Sequence, residues 1–471
     1  MSRIDRRVVV TGAGAISPLG HDWASVHLRL RECRNAVRHM QDWDRYEGLN
    51  TRLAAPAEPF ELPAHYNRKT TRSMGRVAIM AVRATELALE QAGLLGHPVL
   101  KSGKVGVSYG SSAGSHEAIG DFGRMLNEHT TEGINATTYL KMMSHTAPVN
   151  IGVFFGLTGR VYTTSSACTS GSQGVGSAFE AIRSGKQVAM IAGGAEQLDA
   201  TAAAVFDTLF ATSVRNHEPD STPRPFDAQR DGLVLGEGAC TLVLEDLEHA
   251  LARGATILGE IVGYGTNSDG QHVTQPSADT MAQAMRLALE DASLHPDAIG
   301  YVNAHGTATD HGDIAETTAT ASVFGQRMPI SSLKSYVGHT LGACGAYESW
   351  ITLEMMREGW FAPTLNLEER DPRCADLDYI TGEGRELQTD YVMKNPCQDL
   401  FCAKQHDIVR LPQTLMTKAY KQIIAGPVRN AALFVHDPQN AQLLPQQSPV
   451  RPRKTGSGQG YPSENFSPRA G

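Results

Sequence analysis

Short apolar segments that end in glycine or serine alternate along this chain with longer segments of helical character. Residues 74–94 carry apolar side chains at i, i+3 and i+4 spacing, which predicts a helix with one buried face. The segments that read as buried strands are 7–12, 105–110, 161–165, 188–193, 240–245, 257–262, 299–303 and 330–333. Residues 280–294, 314–324 and 342–356 also read as helices. Strands that alternate with helices predict an α/β fold.

A faint internal duplication runs through this pattern. Residues 165–171 lead into a helical segment that contains Ala178, Phe179 and Glu180, and residues 331–338 lead into one that contains the Ala-Tyr-Glu step at 346–348. The two Ala-aromatic-Glu steps lie 168 residues apart. Three matched residues are within reach of chance, so the repeat suggests a duplicated fold without establishing one.

Composition excludes several classes of function. The chain has 42 Lys and Arg against 50 Asp and Glu, a net charge of −8, which disfavours nucleic acid or an anionic membrane as partner. No apolar run approaches the ~20 residues of a membrane helix, and the start has no signal-peptide core. Seven cysteines at irregular spacing predict neither disulfides nor structural zinc. We therefore expect a cytoplasmic protein without membrane insertion.

The segment 163–171 places Cys168 between a strand and a glycine-rich helix start. Unpaired backbone N–H groups and the helix dipole at such a place favour a thiolate, and a sharp turn would expose the sulfur for attack. The alternative is that Cys168 is a small buried hydrophobic residue, as most cysteines are.

Two later segments also carry polar groups at the ends of strands. In 303–316, His305 follows a strand and precedes a turn at Gly306, and it is either a hydrogen-bonded core histidine or part of a reactive site. A metal site is a further alternative for this segment, with ligands from His305, Asp310, His311, Asp313 and Glu316. In 332–345, Lys334 follows a strand and His339 opens a helix of small residues, which is unusual for an element that serves packing alone.

A fourth segment, 8–17, has the glycines of a dinucleotide-binding loop, but Ser17 replaces the third glycine. No acidic residue follows about 20 positions later at the end of a second strand. Nicotinamide binding is therefore disfavoured.

Taken in order, five motifs resemble the β-ketoacyl-acyl carrier protein synthases, especially the elongating type II enzymes and their polyketide or polyene relatives. The motifs are residues 10–20, 166–171, 224–239, 303–309 and 334–343. The resemblance implies a thiolase fold, in which two similar α/β halves form a five-layer α-β-α-β-α sandwich within a homodimer. It also implies acyltransferase activity, namely decarboxylative condensation of malonyl-acyl carrier protein with an enzyme-bound acyl group.

The resemblance implies roles for three residues in that reaction. Cys168 would accept the acyl chain from a carrier-protein thioester. His305 and His339 would donate N–H hydrogen bonds to the thioester oxygen of malonyl-carrier protein and stabilise the enolate that forms when CO₂ leaves.

Other residues take supporting roles by the same resemblance. Lys334, paired with Glu316, would hold the histidines and supply positive charge, with Asp313 as a further supporting residue. Thr307 and Thr309 would hydrogen-bond the phosphopantetheine arm of the carrier protein. Because that arm arrives on the substrate, we expect no resident cofactor and no metal.

The C-terminal segment departs from the family pattern, which ends in a glycine-rich loop and a last apolar strand. Residues 395–471 contain nine prolines and 9 Lys and Arg against 4 Asp and Glu, and the abrupt change suggests a frameshift or an unusual gene end. We predict a nucleophile half over 1–252, a second half over 253–394 and a divergent, partly disordered tail over 395–471.

The predicted absence of that loop and strand bears on function. The loop supplies an oxyanion-hole N–H in the family, so its loss would impair catalysis. Residues 409–411 or 433–436 are possible sources of a substitute strand. The alternative function is therefore an impaired homologue that serves as a dimerising or carrier-protein-binding subunit.

Overall fold

The structure is a computed structural model and describes residues 5–270, 275–395 and 403–410. Its strands are β1 (Val8–Ile16), β2 (Arg38–His39), β3 (Leu53–Ala55), β4 (Val105–Gly110), β5 (Val161–Thr164), β6 (Ala189–Glu196), β7 (Leu235–Gly236), β8 (Gly238–Asp246), β9 (Gly259–Ser268), β10 (Ile299–Asn303), β11 (Pro329–Ser331), β12 (Trp360–Phe361), β13 (Asp378–Tyr379), β14 (Arg385–Glu386), β15 (Tyr391–Lys394) and β16 (Ala403–Arg410). Its helices are α1 (Trp23–Arg31), α2 (Arg68–Thr71), α3 (Arg76–Gln91), α4 (His116–Glu128), α5 (Ala136–Met142), α6 (Thr146–Phe155), α7 (Ser170–Arg183), α8 (Ala200–Asp207), α9 (Leu247–Ala252), α10 (Ala278–Ala292), α11 (Asp310–Phe324), α12 (Lys334–Val337) and α13 (Cys344–Glu358). Every strand and helix predicted above from its apolar pattern is present, with ends that differ by a few residues.

The main sheet shows the duplication directly. Its strand order is β13-β11-β10-β15-β16-β9-β1-β8-β6-β4-β5. Starting from β5, the first five strands pair parallel, parallel, antiparallel and antiparallel. Starting from β11, the next five repeat that series, and β1 joins β9 antiparallel at the centre. The suspected repeat is therefore a repeat of topology.

Glycine pairs in the two central strands reproduce the symmetry at atomic scale. A Cβ at Gly12 in β1 would lie 2.3 Å from the carbonyl oxygen of Ala88, and one at Gly263 in β9 would lie 2.4 Å from that of Ala288. Each strand thus lies directly against the backbone of its helix, α3 or α10, where no larger residue fits. The glycines that resemble a dinucleotide loop serve this packing.

Three helical layers enclose the two halves of the sheet. Helices α3 and α6 cover the outer face of the first half, and α10 and α11 cover that of the second. Helices α7 and α13 pack against each other between the halves, where a Cβ at Gly171 would lie 2.7 Å from the carbonyl oxygen of Gly342. These layers are the predicted α-β-α-β-α sandwich.

The prediction that the last strand is missing is wrong. The strand that the structure contains, β16, includes residues 409 and 410 of the possible substitute 409–411, whereas residues 433–436 lie outside the described residues. Strand β16 lies between β15 and β9 and hydrogen-bonds to both, which is the position that β8 holds in the first half. Ile408 and Val409 on this strand are buried, and they join the hydrophobic clusters on opposite faces of the sheet. Residues 396–402, where the sequence analysis finds the family's glycine-rich loop missing, lie outside the described residues.

Because β16 is central, its apolar side chains should contribute strongly to stability. We expect Ile408→Ala to lower the free energy of unfolding by about 3 kcal/mol, since it leaves a cavity in a packed core. Urea unfolding monitored by circular dichroism measures this change. Leu28→Ala, which shortens an exposed side chain on α1, is the control and should change the free energy by less than about 0.5 kcal/mol. Equal effects of the two substitutions would contradict the placement of β16.

Candidate active site

The candidate nucleophile sits in a tight turn between a strand and a helix. Cys168 is the middle residue of a single 3₁₀ turn, Ala167–Thr169, which follows β5 and leads directly into α7. Ala167 has φ +50°, a left-handed conformation that costs a residue with a side chain about 1 kcal/mol or more. This is the sharp turn that the sequence predicts. Cys168 is 2% exposed, so a substrate must enter the protein to reach its thiol.

One histidine contacts the sulfur directly. The Nε2 atom of His339 lies 2.9 Å from the Sγ atom of Cys168. The backbone N–H of Leu341 donates to Nδ1 of the same ring at 3.2 Å, so Nδ1 is the acceptor and a neutral ring carries its proton on Nε2. His339 is therefore arranged to donate its N–H toward the sulfur.

Burial keeps this imidazole neutral. The pKa of His339 lies well below its usual 6.5, first because the ring is fully buried and then because the cations Lys334 and Lys394 repel a further proton. A neutral ring with a fixed tautomer is a hydrogen-bond donor whose state does not change over the physiological pH range.

The lowered pKa of His339 predicts how stability changes with pH. In the unfolded chain the imidazole binds a proton near pH 6.5, whereas in the folded chain it does not, so stability falls as the pH drops below that value. Between pH 7 and pH 5.5 this histidine should lower the free energy of unfolding by about 1 kcal/mol. Urea unfolding at the two pH values measures it. His339→Asn, which cannot titrate, should lose that much less, and parallel losses would contradict the assignment.

The second histidine faces the first. The rings of His305 and His339 have centroids 5.0 Å apart and stand at 89° to each other, and both side chains are buried. The loop that carries His305 is held by Glu316, whose two carboxylate oxygens accept the backbone N–H groups of His305 and Gly306 at 2.8 Å each. Glu316 thus sets the position of His305 through its backbone.

The predicted pairing of Lys334 with Glu316 is wrong. The ammonium group of Lys334 hydrogen-bonds to Glu348 on α13, and both side chains are buried. Burial is the largest single influence and opposes the charge of Lys334, but the attraction and hydrogen bond of Glu348, together with Cys344 and Glu316, raise the pKa of the lysine above its usual value. The sequence did contain one signal, because Glu348 is the acid of the repeated Ala-aromatic-Glu step and lies in a helix that is otherwise mostly apolar.

A second lysine enters the same cluster. Lys394, the last residue of β15, lies 3.5 Å from the other oxygen of Glu348 and donates to the hydroxyl of Ser172 at 2.9 Å. It is 0% exposed. We did not predict this residue, because in the sequence it marks the end of the family match.

The remaining predicted residues, Thr307, Thr309 and Asp313, lie in the segment that follows His305 and leads into α11. The hydroxyls of Thr307 and Thr309 lie 2.9 Å apart, and Thr309 borders a cavity of about 410 Å³ that opens beside Phe210. Asp313 is buried and accepts the backbone N–H groups of Phe226 at 2.7 Å and Ala308 at 3.2 Å. Asp313 therefore shapes the loop that presents the two threonines.

The residues that could hold a metal ion in the structure differ from those that the sequence analysis considered. Among the described residues, two groups are close enough to share an ion. One is Cys168, His305 and His339, and the other is His305, Cys344 and Glu348. Neither group includes a residue of 310–316. Cys344 donates its thiol to the carbonyl of Cys168 at 3.2 Å, and burial raises its pKa to about 11, so it stays protonated near neutral pH.

Two expectations from composition concern the cysteines and membrane insertion. The five cysteines in the part of the chain that the structure describes are free. Of the helices it describes, none combines the length and the apolar character that a membrane crossing requires.

A duplicated α/β sandwich with a cysteine and two histidines at its centre defines a condensing acyltransferase of the thiolase type. The family model "Beta-ketoacyl synthase, N-terminal domain" matches residues 5–250, and "Beta-ketoacyl synthase, C-terminal domain" matches residues 258–368. The chain belongs to the β-ketoacyl synthase family. Its function is the condensing step of fatty acid or polyketide chain elongation.

Known proteins extend the match over most of the chain. The 3-oxoacyl-[acyl-carrier-protein] synthase 2 of Synechocystis is 36% identical over 396 residues, which is 83% of this chain and 94% of that protein. The crystal structure of a β-ketoacyl synthase from Burkholderia phymatum is 59% identical with a TM-score of 0.85, and the match covers 86% of this chain and all of that one. A ketosynthase solved in complex with the acyl-carrier protein of a type II polyketide synthase is 28% identical with a TM-score of 0.77, over 87% of this chain and all of that one.

Proposed function

We propose that this enzyme condenses malonyl-acyl carrier protein with an acyl group carried on Cys168, with loss of CO₂. The observation that carries the proposal is the 2.9 Å contact between His339 Nε2 and Cys168 Sγ, beside the buried ring of His305. A thiol nucleophile and two imidazoles around one point are the groups that acyl transfer and enolate stabilisation require.

The first half-reaction is transfer of the acyl group. The sulfur of Cys168 attacks the carbonyl carbon of an acyl-carrier thioester, and the phosphopantetheine thiolate leaves with the proton that the cysteine gave up. The N–H of His339 stabilises the sulfur while it carries negative charge.

The second half-reaction is condensation. His305 and His339 donate hydrogen bonds to the malonyl thioester oxygen, so that cleavage of the bond to the carboxylate leaves an enolate on which these donors hold the charge. The enolate carbon attacks the acyl-cysteine carbonyl, a carbon–carbon bond forms, and the thiolate of Cys168 is released. A neutral His339 ring is suited to this role, because its proton lies on Nε2 and this N–H donates without the ring first having to gain a proton.

Acyl carrier protein is the partner that we propose, with Thr307 and Thr309 hydrogen-bonding the phosphopantetheine arm. Support comes from the cavity beside Thr309 and from the similar ketosynthase whose structure contains an acyl-carrier protein. The arm would arrive with the substrate, so the proposed reaction uses no resident cofactor and no metal.

We also propose a homodimer. Strand β5 forms one edge of the main sheet, and its Val161 is half exposed. An edge strand of this kind is a template for pairing with the same strand of a second copy about a twofold axis.

We also propose that the protein is cytoplasmic. The five described cysteines, which are all free, support this location.

The purified protein should be incubated with an acyl-carrier protein charged with a fatty acyl group, and its intact mass measured before and after addition of malonyl-carrier protein. We expect an acyl adduct that disappears as β-ketoacyl product forms. An adduct that forms but does not turn over would indicate the impaired-subunit alternative, and so would the absence of any adduct on folded protein. That alternative is not favoured, because the cysteine and both histidines are present and converge.

A further inference from the structure

A lysine without any solvent exposure is rare in proteins, because removing an ammonium group from water costs several kcal/mol unless partners replace the water. The site contains two almost fully buried lysines, Lys334 at 1% and Lys394 at 0% exposure, and the carboxylate of Glu348 lies between them. Lys334 takes one oxygen of Glu348, and Lys394 lies 3.5 Å from the other. The cluster of these three charges carries one excess positive charge.

The position of Lys394 connects parts of the site that come from both halves of the fold. Its ammonium donates to Ser172, which lies four residues after Cys168, in the helix that follows the nucleophile turn. On its other side it reaches Glu348, and through Glu348 it reaches Lys334.

The backbone of Lys394 also lies beside the strand that leads to His305. In the parallel pairing of β15 with β10, Lys394 is the register partner of Asn303, two residues before His305. The next residue, Asn395, donates its backbone N–H to the carbonyl of Asn303 at 2.9 Å and its side-chain amide to Glu316 at 3.4 Å. Glu316 in turn holds the His305 backbone.

We propose that Lys394 is a positioning residue of the condensing site, whose ammonium group ties the helix behind Cys168 to the Lys334–Glu348 pair and supplies a second fixed positive charge there. The field of Lys394 does reach the reacting groups, since it contributes to the lowered pKa of His339. A fixed cation in a site closed to water stabilises the negative charge that the thiolate and the enolate carry in turn.

The test uses Lys394→Met, which removes the charge and keeps an unbranched side chain of similar length. Two quantities are measured: the turnover of condensation, and the pH midpoint of Cys168 alkylation by iodoacetamide, followed by intact mass. We expect turnover to fall about tenfold or more, as when groups behind a reacting side chain are removed elsewhere. We expect the alkylation midpoint to rise by on the order of 1 pH unit, because a cation that favours the thiolate is gone.

Several other titratable groups surround the sulfur and are left unchanged in this comparison. They are His339, His305, Lys334, Cys344, Glu348 and Glu316. Ser172→Ala is the matched control, because it removes the hydrogen bond and keeps the charge. It should lower turnover and leave the alkylation midpoint within about 0.2 units of that of the wild-type protein, below the shift expected for a lost charge.

A folded Lys394→Met protein with the turnover and alkylation midpoint of the wild type would overturn the proposal, and so would equal midpoint shifts in Lys394→Met and Ser172→Ala. Should Lys394→Met fail to fold, Lys394→Gln, which keeps a polar group toward Ser172, is measured in the same way. The turnover measurement rests on the proposed function, whereas alkylation needs neither carrier protein nor condensation, so the two proposals fail independently.

Discussion

Cys168→Ala is expected to abolish the acyl adduct and to lower condensation by at least about 10⁴-fold, as in other enzymes that lose a covalent nucleophile. Alanine keeps the tight turn and removes only the sulfur, so the protein should remain folded. Cys344 is the other described cysteine in the site. Burial raises its pKa to about 11 and its thiol hydrogen-bonds to a backbone carbonyl, so it cannot replace Cys168 as the nucleophile. Intact mass after incubation with an acyl-carrier protein gives the measurement.

The same variant separates the two half-reactions. Loss of CO₂ from malonyl-carrier protein needs the donors His305 and His339 and does not need the thiol, so Cys168→Ala should still release CO₂. His339→Ala is the matched variant and should slow that release by about 10²-fold or more, the usual effect of losing one oxyanion donor. An adduct that persists in Cys168→Ala would place the nucleophile elsewhere.

Glu348→Gln is expected to cost about 3–5 kcal/mol of stability, because it leaves the ammonium groups of Lys334 and Lys394 buried together without a counter-charge. Lys334→Met should cost less, about 2 kcal/mol, since Glu348 keeps Lys394 as its partner and the loss is mainly one charged hydrogen bond. The two variants are expected to differ because Glu348→Gln leaves two buried cations unpaired, whereas Lys334→Met leaves one ion pair intact.

The double variant Glu348→Gln with Lys334→Met leaves one unpaired cation and should be intermediate between the two single variants. Urea unfolding at pH 7 and fixed protein concentration ranks the three. A larger loss in Lys334→Met than in Glu348→Gln would show that Lys394 does not share the carboxylate.

Much of the candidate site was predictable because its residues lie where strands end. The turn at Cys168 and the loop at His305 have local signals, namely small residues and glycine after an apolar run, and these signals do not depend on the rest of the chain. The partner of Lys334 had no such signal. Glu316 precedes it by 18 residues and Glu348 follows it by 14, and only the packing of the helices that carry the two acids selects between them.

Strand β16, by contrast, is poorly predicted by its own sequence. The sequence of residues 403–410, Ala-Lys-Gln-His-Asp-Ile-Val-Arg, has neither a continuous apolar run nor a clean alternation, so its pattern predicts at most a short strand at its end, near 409–411, and not a buried strand of eight residues. In the fold its backbone pairs with β15 on one side and β9 on the other. Backbone pairing on both sides, over eight residues with β9 and four with β15, is available only at a central position and overrides a weak local preference.

By itself, the sequence determined the alternation of strands and helices, the residues at the strand ends and the family to which these motifs belong, because each depends on neighbours along the chain. The tertiary structure decided which of those residues meet. Cys168 and His339 are 171 positions apart, and they come into contact because two glycine-lined helices pack between the halves of the sheet. The same packing buries two lysines around one carboxylate, an arrangement that depends on contacts between distant segments and leaves no pattern in any one of them.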